Sequence, residues 1–305
     1  MRSPFDIDGP AVISFSGGRT SAYMLRKIAD IGLRPDVHVL FCNTGKEDEA
    51  TLRFVHEVEE RWDIPVRWLE YLRADEPKYR NPEVAAIARR FRSARPEVME
   101  RLRDDPWLEH GYREVRFDSA SRRGEPFENF VAMNGLPNPA FRTCTTVLKV
   151  RVMKRWMMDL GCNQWDMVMG IRADEPRRVA KLNRSPPERW EHLMPLAEAG
   201  VQEADVLAFW RDQPFDLQLA ADPKMGTYLG NCDGCILKGT DKLLRIEREH
   251  PGRLSWWADV ERDAGTLFRI DRPPYAKLQL RVLADTHAPA IIEAADDLGD
   301  CFCHD

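Results

Sequence analysis

The chain has 305 residues, 43% of them hydrophobic, with 45 Lys and Arg against 50 Asp and Glu and a formal charge of −5 at pH 7. That length can bury a large core, in one domain or one with an appendage, and the charge leaves no globally basic surface, so a nucleic-acid contact would have to be local. No stretch has the apolar length of a membrane span, no signal-peptide layout opens the chain, and seven cysteines without an export signal argue against a disulfide framework, so a soluble cytoplasmic enzyme is expected.

The run Ala11-Val12-Ile13-Ser14-Phe15 leads into Ser16-Gly17-Gly18-Arg19-Thr20-Ser21, and Met24, Leu25 and Ile28 follow with helical spacing. This reads as a strand, a tight loop and a helix N-terminus. The glycines let backbone N–H groups approach an anion, Ser16, Thr20 and Ser21 add hydroxyls, Arg19 adds charge, and the helix dipole favours negative charge. The alternative is a tight turn with no ligand. Asp36–Cys42 reads as a strand buried on both faces, followed by Asn43-Thr44-Gly45-Lys46-Glu47-Asp48-Glu49 and a helix from about 50 to 61. Glu47 or Glu49 could help hold Mg²⁺, or the acids could merely complement a helix N-terminus. Pro65–Tyr71 is a third strand, so right-handed β-α-β crossovers and a parallel sheet are expected.

From 73 to 135 charges of both signs crowd together, with arginines at Arg89, Arg90, Arg92, Arg95, Arg101 and Arg103. A solvated helical insertion explains most of them; an arginine-rich helix face gripping phosphate is the alternative. Prolines at Pro137 and Pro139 force an extended approach to a helix from near Cys144 to about Leu160, where the dipole favours a thiolate. Lys149 lies about one and a half turns in. The strand Trp165–Met169 breaks at Gly170 and delivers Arg172 to the same sheet edge as the first loop, with Arg178 a second basic site; a surface ion pair is the alternative for both. A strand His192–Leu196, a helix Glu203–Arg211 and the segment Gln213-Pro214-Phe215-Asp216-Leu217 follow. The motif Cys232-Asp233-Gly234-Cys235 permits zinc, a redox dithiol or an iron–sulfur cluster. A charged helical pair occupies 241–263. Near the end stand Cys301 and Cys303, while Cys42 and Cys162 read as structural.

Taken in order, these motifs resemble the PAPS (phosphoadenosine phosphosulfate) reductase-like branch of the adenine nucleotide alpha-hydrolase, or PP-loop ATP pyrophosphatase, superfamily. The resemblance implies a doubly wound, mostly parallel α/β nucleotide-binding domain over 1–220 with a helical insertion at 73–135. A helical, cysteine-bearing region at 221–305 would pack on it. It implies that Ser16, Gly17, Gly18, Arg19, Thr20 and Ser21 hold the pyrophosphate of ATP, or the phosphosulfate of APS (adenylylsulfate) or PAPS, and that Thr44 and Gly45 line the nucleotide pocket. Arg172 would contact phosphate or sulfate, with Arg178 the second choice, and Lys149 would be a further catalytic residue. Cys144, Cys232 and Cys235 look like ligands of a [4Fe-4S] cluster; the APS reductases place a Cys-x-x-Cys about as far after their cysteine pair as the 88 positions seen here. Thr145 stands where that pair has its second cysteine. Cys303 or Cys301 would complete the cluster, or Cys301 would be the tail nucleophile of a sulfonucleotide reductase, although Phe302 replaces that motif's glycine. The implied activity is ATP cleavage to AMP and pyrophosphate, activating an acceptor for sulfur transfer, as in nucleic-acid thiolation or DNA phosphorothioation. Reduction of APS or PAPS to sulfite is the alternative. The implied partners are an adenine nucleotide, a sulfur donor such as a cysteine desulfurase, and nucleic acid through the arginine-rich insertion, with no membrane.

Overall fold

The computed structural model describes residues 2–73, 110–222, 226–230 and 232–285. A six-stranded sheet organises them: β1 (Ala11–Ser14), β2 (Val37–Asn43), β3 (Val66–Arg73), β4 (His110–Val115), β5 (Trp165–Met169) and β6 (Trp190–Leu193). The spatial order is β4-β3-β2-β1-β5-β6; every pairing is parallel except β3 with β4. The chain therefore winds outward from β1 through β2 and β3, then returns to start again at β5 on the other side. The order reverses between β1 and β5, the position where open α/β sheets form a crevice beyond the strand ends.

Side chains alternate across each strand, so the sheet carries a core on both faces. Ala11, Ile13, Phe15, Val39, Phe41, Val66 and Trp68 pack towards α1 (Arg19–Ile31), α2 (Glu49–Trp62) and the helix Glu203–Arg211. Val12, Leu40, Leu69 and Tyr71 face the opposite way, against the helix around Trp156 and the C-terminal helices. The helices Thr240–Glu249, Ser255–Ala264 and Tyr275–Asp285 supply Leu243, Ile246, Trp257, Tyr275 and Leu278 to that same core cluster. Trp257 stands at its centre, 1% exposed, edge-on to Phe127 and Phe268 and stacked on Tyr275.

Two elements differ from expectation. The described part of the 73–135 insertion is not wholly helical: His110–Val115 is an antiparallel edge strand on β3, followed by the helix Glu125–Asn134. Its dense charge hides the period of two, but Tyr112 is 2% exposed and Arg113 pairs with Glu70 of β3. The arginines from Arg89 to Arg103 lie outside the described residues. The strand expected at His192–Leu196 is shifted to Trp190–Leu193, and Pro195 opens the short helix Pro195–Glu198, since a ring without an N–H suits a first helical position. Among the described residues no helix is long and apolar enough to cross a membrane.

Candidate functional site

Gly17 leaves β1 at φ 79°, and a Cβ there would lie 2.8 Å from Thr51 Cγ2 and 3.0 Å from Val55 Cγ2. The loop thus sits tight on α2, and only glycine fits. Gly18 is the N-cap of α1, a 13-residue helix whose N-terminus receives no side-chain cap. Its first amides lack intrahelical partners and carry the positive end of the dipole. Ser21 folds back: its Oγ donates to Gly18 O at 3.0 Å, accepts from Ser16 N at 3.3 Å and meets Ser16 Oγ at 2.9 Å. Gly170 packs against this turn, with room for a Cβ only 3.0 Å from Ser21 Cα.

Arg172 arrives from the β5 side as expected. Its guanidinium donates to Thr20 Oγ1 at 3.2 Å and to Asp174 Oδ1 at 2.9 Å, and its backbone N–H donates to Glu175. Arg178 turns to Glu175 instead. Arg19 also differs from expectation: its guanidinium forks onto Asp216, at 2.7 and 2.9 Å, and donates to Leu217 O at 2.8 Å. This pair fastens the loop to the Pro-Phe-Asp-Leu segment. With both partners partly exposed, it contributes on the order of 1 kcal/mol.

Beside the loop lies a pocket between the sheet and the helix that carries Lys149. Its walls are Leu40 and Cys42 of β2, Ser14 to Ser16 after β1, Met167 and Met169 of β5, Trp190 and His192 of β6, and Thr145, Lys149, Val150 and Met153 above. That helix runs Thr143–Thr145, then a π-helical stretch Thr146–Arg151, then Val152–Asp159. The wide turn carries Lys149 to 3.9 Å from Glu47 Oε1. π-turns within α-helices are frequent at functional sites.

Glu47 belongs to the segment beyond β2. Its Oε2 accepts from Thr44 N at 2.8 Å and Thr44 Oγ1 at 2.9 Å, while Oε1 is buried with no hydrogen-bond partner. Glu49 is spoken for by Arg53 and Arg122. Gly45, at φ 81°, is packed against Ser121 and Pro126, and its N–H donates to Asn43 Oδ1 at 3.0 Å. Asn43 is in turn held by Glu70, which is 0% exposed and also accepts from Ser121 N at 2.5 Å and from Arg113. Gly45 is therefore a packing position, while Thr44 is the residue that faces the site.

The Cys232-x-x-Cys235 loop docks on this segment through a Glu47–Cys232 bridge and a bond from Asp233 N to Lys46 O at 2.8 Å. Asp233 is 5% exposed and accepts from Trp257 Nε1 at 2.7 Å; Lys46 Nζ lies 3.2 Å away, and Arg253 joins Asp233 to Asp48. Lys238, 6% exposed, donates to Gly230 O and Cys232 O. Burial pulls its pKa down. Cys232 Sγ lies 3.4 Å from Thr44 Oγ1. Burial, then the charges of Glu47 and Cys235, push its thiol well above the usual range, with Lys149 opposing.

Ser16, Thr20, Ser21, Arg172, Lys149, Thr44 and Cys232 thus share one edge of the sheet. Cys144 packs at the margin of the same core, but among the described residues no three Cys, His, Asp or Glu side chains form a group able to hold a metal ion. Cys301 and Cys303, the other expected ligands, lie outside the described residues. Sequence reasoning missed the pocket walls Met153, Met167, Trp190 and His192. Their signal was present as alternation along β5 and β6, but only the covering helix turns that face into a cavity.

No protein-family model matches the chain. Among curated proteins, one of Escherichia phage lambda, described as the uncharacterized nin region protein ORF290, is 34% identical over 234 residues, which are 76% of this chain and 67% of that relative. At that identity and coverage, the chain belongs to the family of the phage lambda nin region protein ORF290.

Proposed function

We propose that the protein is an ATP pyrophosphatase of the adenine nucleotide alpha-hydrolase type, cleaving ATP between its α and β phosphates to activate an acceptor for sulfur transfer. The observation that carries this reading is the uncapped N-terminus of α1, reached through a left-handed Gly17 at the reversal point of the sheet and opening beside an elongated, largely apolar pocket. The amides of a helix N-terminus suit a departing pyrophosphate. Arg172, held against Thr20, stands where charge would build on the leaving group, and Lys149 stands between loop and pocket. Glu47, whose buried Oε1 makes no hydrogen bond and lies 3.9 Å from Lys149 Nζ, is with Thr44 the residue that would hold a divalent cation. Mg²⁺, when bound, would offset phosphate charge.

The chemistry would proceed by attack of an acceptor oxygen on the α-phosphorus, with pyrophosphate leaving, followed by displacement of the adenylated oxygen as AMP by a sulfur nucleophile. Cys232, beside Thr44 and Glu47 at the same sheet edge as the loop, is the cysteine we assign to such a step. An iron–sulfur cluster held by Cys144, Cys232 and Cys235 remains part of the proposal through the resemblance alone, and no step is routed through it. A nucleic-acid acceptor and a cysteine desulfurase donor remain part of the proposal through the resemblance alone. Incubation with labelled ATP and Mg²⁺ tests it. Release of AMP and pyrophosphate is expected; sulfite release from APS or PAPS with a thiol reductant, and no pyrophosphate from ATP, would replace it with the reductase reading.

A further inference from the structure

His192 is the one pocket residue whose protonation pattern the surrounding geometry fixes. Trp190 Nε1 lies 3.1 Å from His192 Nε2. An indole N–H can only donate, so Nε2 must be bare, and a neutral imidazole then carries its proton on Nδ1. Burial holds the ring below its usual pKa, with Glu188 partly opposing, which keeps it neutral. The indole that imposes this tautomer is itself fixed. Trp190 stacks on Trp165, centroids 5.6 Å apart at 27°, and Lys154 Nζ sits 5.5 Å over its ring while bridging to Glu188 at 3.1 Å. Among the described residues Nδ1 makes no hydrogen bond, so a tryptophan holds an imidazole with one uncommitted N–H donor, and His192 is one of the residues lining the pocket.

The rest of that wall is apolar and deformable: Phe15, Leu40, Met153, Met167 and Met169. Thioethers and aromatic edges suit the faces of a flat ring. The polar end has Ser16, from the loop after β1, and Lys149, from the covering helix, and β6 lies two strands from β1, about 10 Å in the sheet plane. That is the span from the phosphate of a nucleotide to its base. Resting on the nucleotide reading above, we propose that His192 is the base-recognition residue, its Nδ1–H donating to a ring nitrogen of a purine seated among the methionines. Trp190 is then a positioning residue, acting through the tautomer it imposes.

The test measures binding of ATP, of 1-deaza-, 3-deaza- and 7-deaza-ATP, and of inorganic triphosphate to the full chain, as wild type and as His192→Phe and His192→Gln. Loss of one net hydrogen bond predicts about 3- to 10-fold weaker ATP binding by His192→Phe. Triphosphate affinity should not change, and His192→Gln, which keeps an N–H donor, should recover part of the loss. One deaza analogue should lose the same factor on the wild type and nothing further on His192→Phe. Equal binding of ATP by wild type and His192→Phe, or of all three deaza analogues by the wild type, overturns the assignment while leaving the nucleotide reading intact. Should His192→Phe fail to fold by circular dichroism, the deaza series on wild type decides alone. Wild-type protein that binds neither ATP nor triphosphate would remove both readings together.

Discussion

Substituting Gly17 by alanine tests the geometry of the first loop in two separable parts. The backbone there has φ 79°, which costs an L-residue about 1–2 kcal/mol. The new Cβ would also press on Thr51 Cγ2 at 2.8 Å, Val55 Cγ2 at 3.0 Å and Phe41 Cε2 at 3.2 Å, all on buried residues of β2 and α2. Overpacking of that kind costs about 1–3 kcal/mol, so the sum is about 2–5 kcal/mol. Gly32 is the internal control, since it has φ 128° with nothing within 4 Å of its Cβ position. Gly32→Ala should therefore show only the conformational part. With a urea slope of about 3 kcal/mol/M, Gly17→Ala should lower the unfolding midpoint by roughly 0.7–1.7 M at unchanged slope. Adding Thr51→Ser, which removes the nearest methyl group, should recover part of the steric loss. Equal midpoint shifts for Gly17→Ala and Gly32→Ala, or no rescue by Thr51→Ser, would refute the close-packing argument for the loop.

Glu70→Gln should destabilise by about 3–5 kcal/mol, because Glu70 is fully buried and pairs with Arg113 while fixing Asn43 and Ser121; thermal unfolding measures it, and a loss under 1 kcal/mol would deny the network its structural role. Asp216→Asn should cost on the order of 1 kcal/mol in chemical unfolding and leave triphosphate affinity within about twofold, since Arg19 is committed to Asp216 rather than to a ligand. Arg172→Ala should lower the rate of pyrophosphate release by about 100-fold or more, in line with loss of one transition-state donor, with little change in the melting temperature. Acidification provides a fourth test. His38 and His192 both have pKa values lowered by burial, so the unfolded chain takes up protons first as pH falls below about 6.5. Their contribution to stability is complete above that pH and is lost as pH drops towards the folded values. His38→Gln should shrink the difference in unfolding free energy between pH 7 and pH 5.

The alternation and glycine chemistry of the first 70 residues were enough, without coordinates, to place β1, the Ser-Gly-Gly turn, α1 and the next two strands. An apolar run ending in Gly-Gly before a 3.6-residue period has few other solutions. Arg172 was legible for a similar reason: Gly170 ends a buried strand, and parallel strands deliver their carboxyl ends to one edge. The partner of Arg19 was not legible: its charge, considered locally, suits phosphate, while Asp216 lies 197 residues on and only the folded chain brings them together. The strand His110–Val115 was hidden because an edge strand can be charged on its open side.

What the linear chain determined by itself was the order of strand, loop and helix, since local backbone preference and burial period act over a few residues. What tertiary structure alone decided was which side chains meet. It set Cys232 beside Thr44 and Glu47, and it turned His192 and three methionines into the wall of a cavity. The physical reason is that coordination, hydrogen bonding and pocket shape depend on distances of a few ångströms between segments far apart in sequence, and those distances are set by packing across the sheet rather than by spacing along the chain.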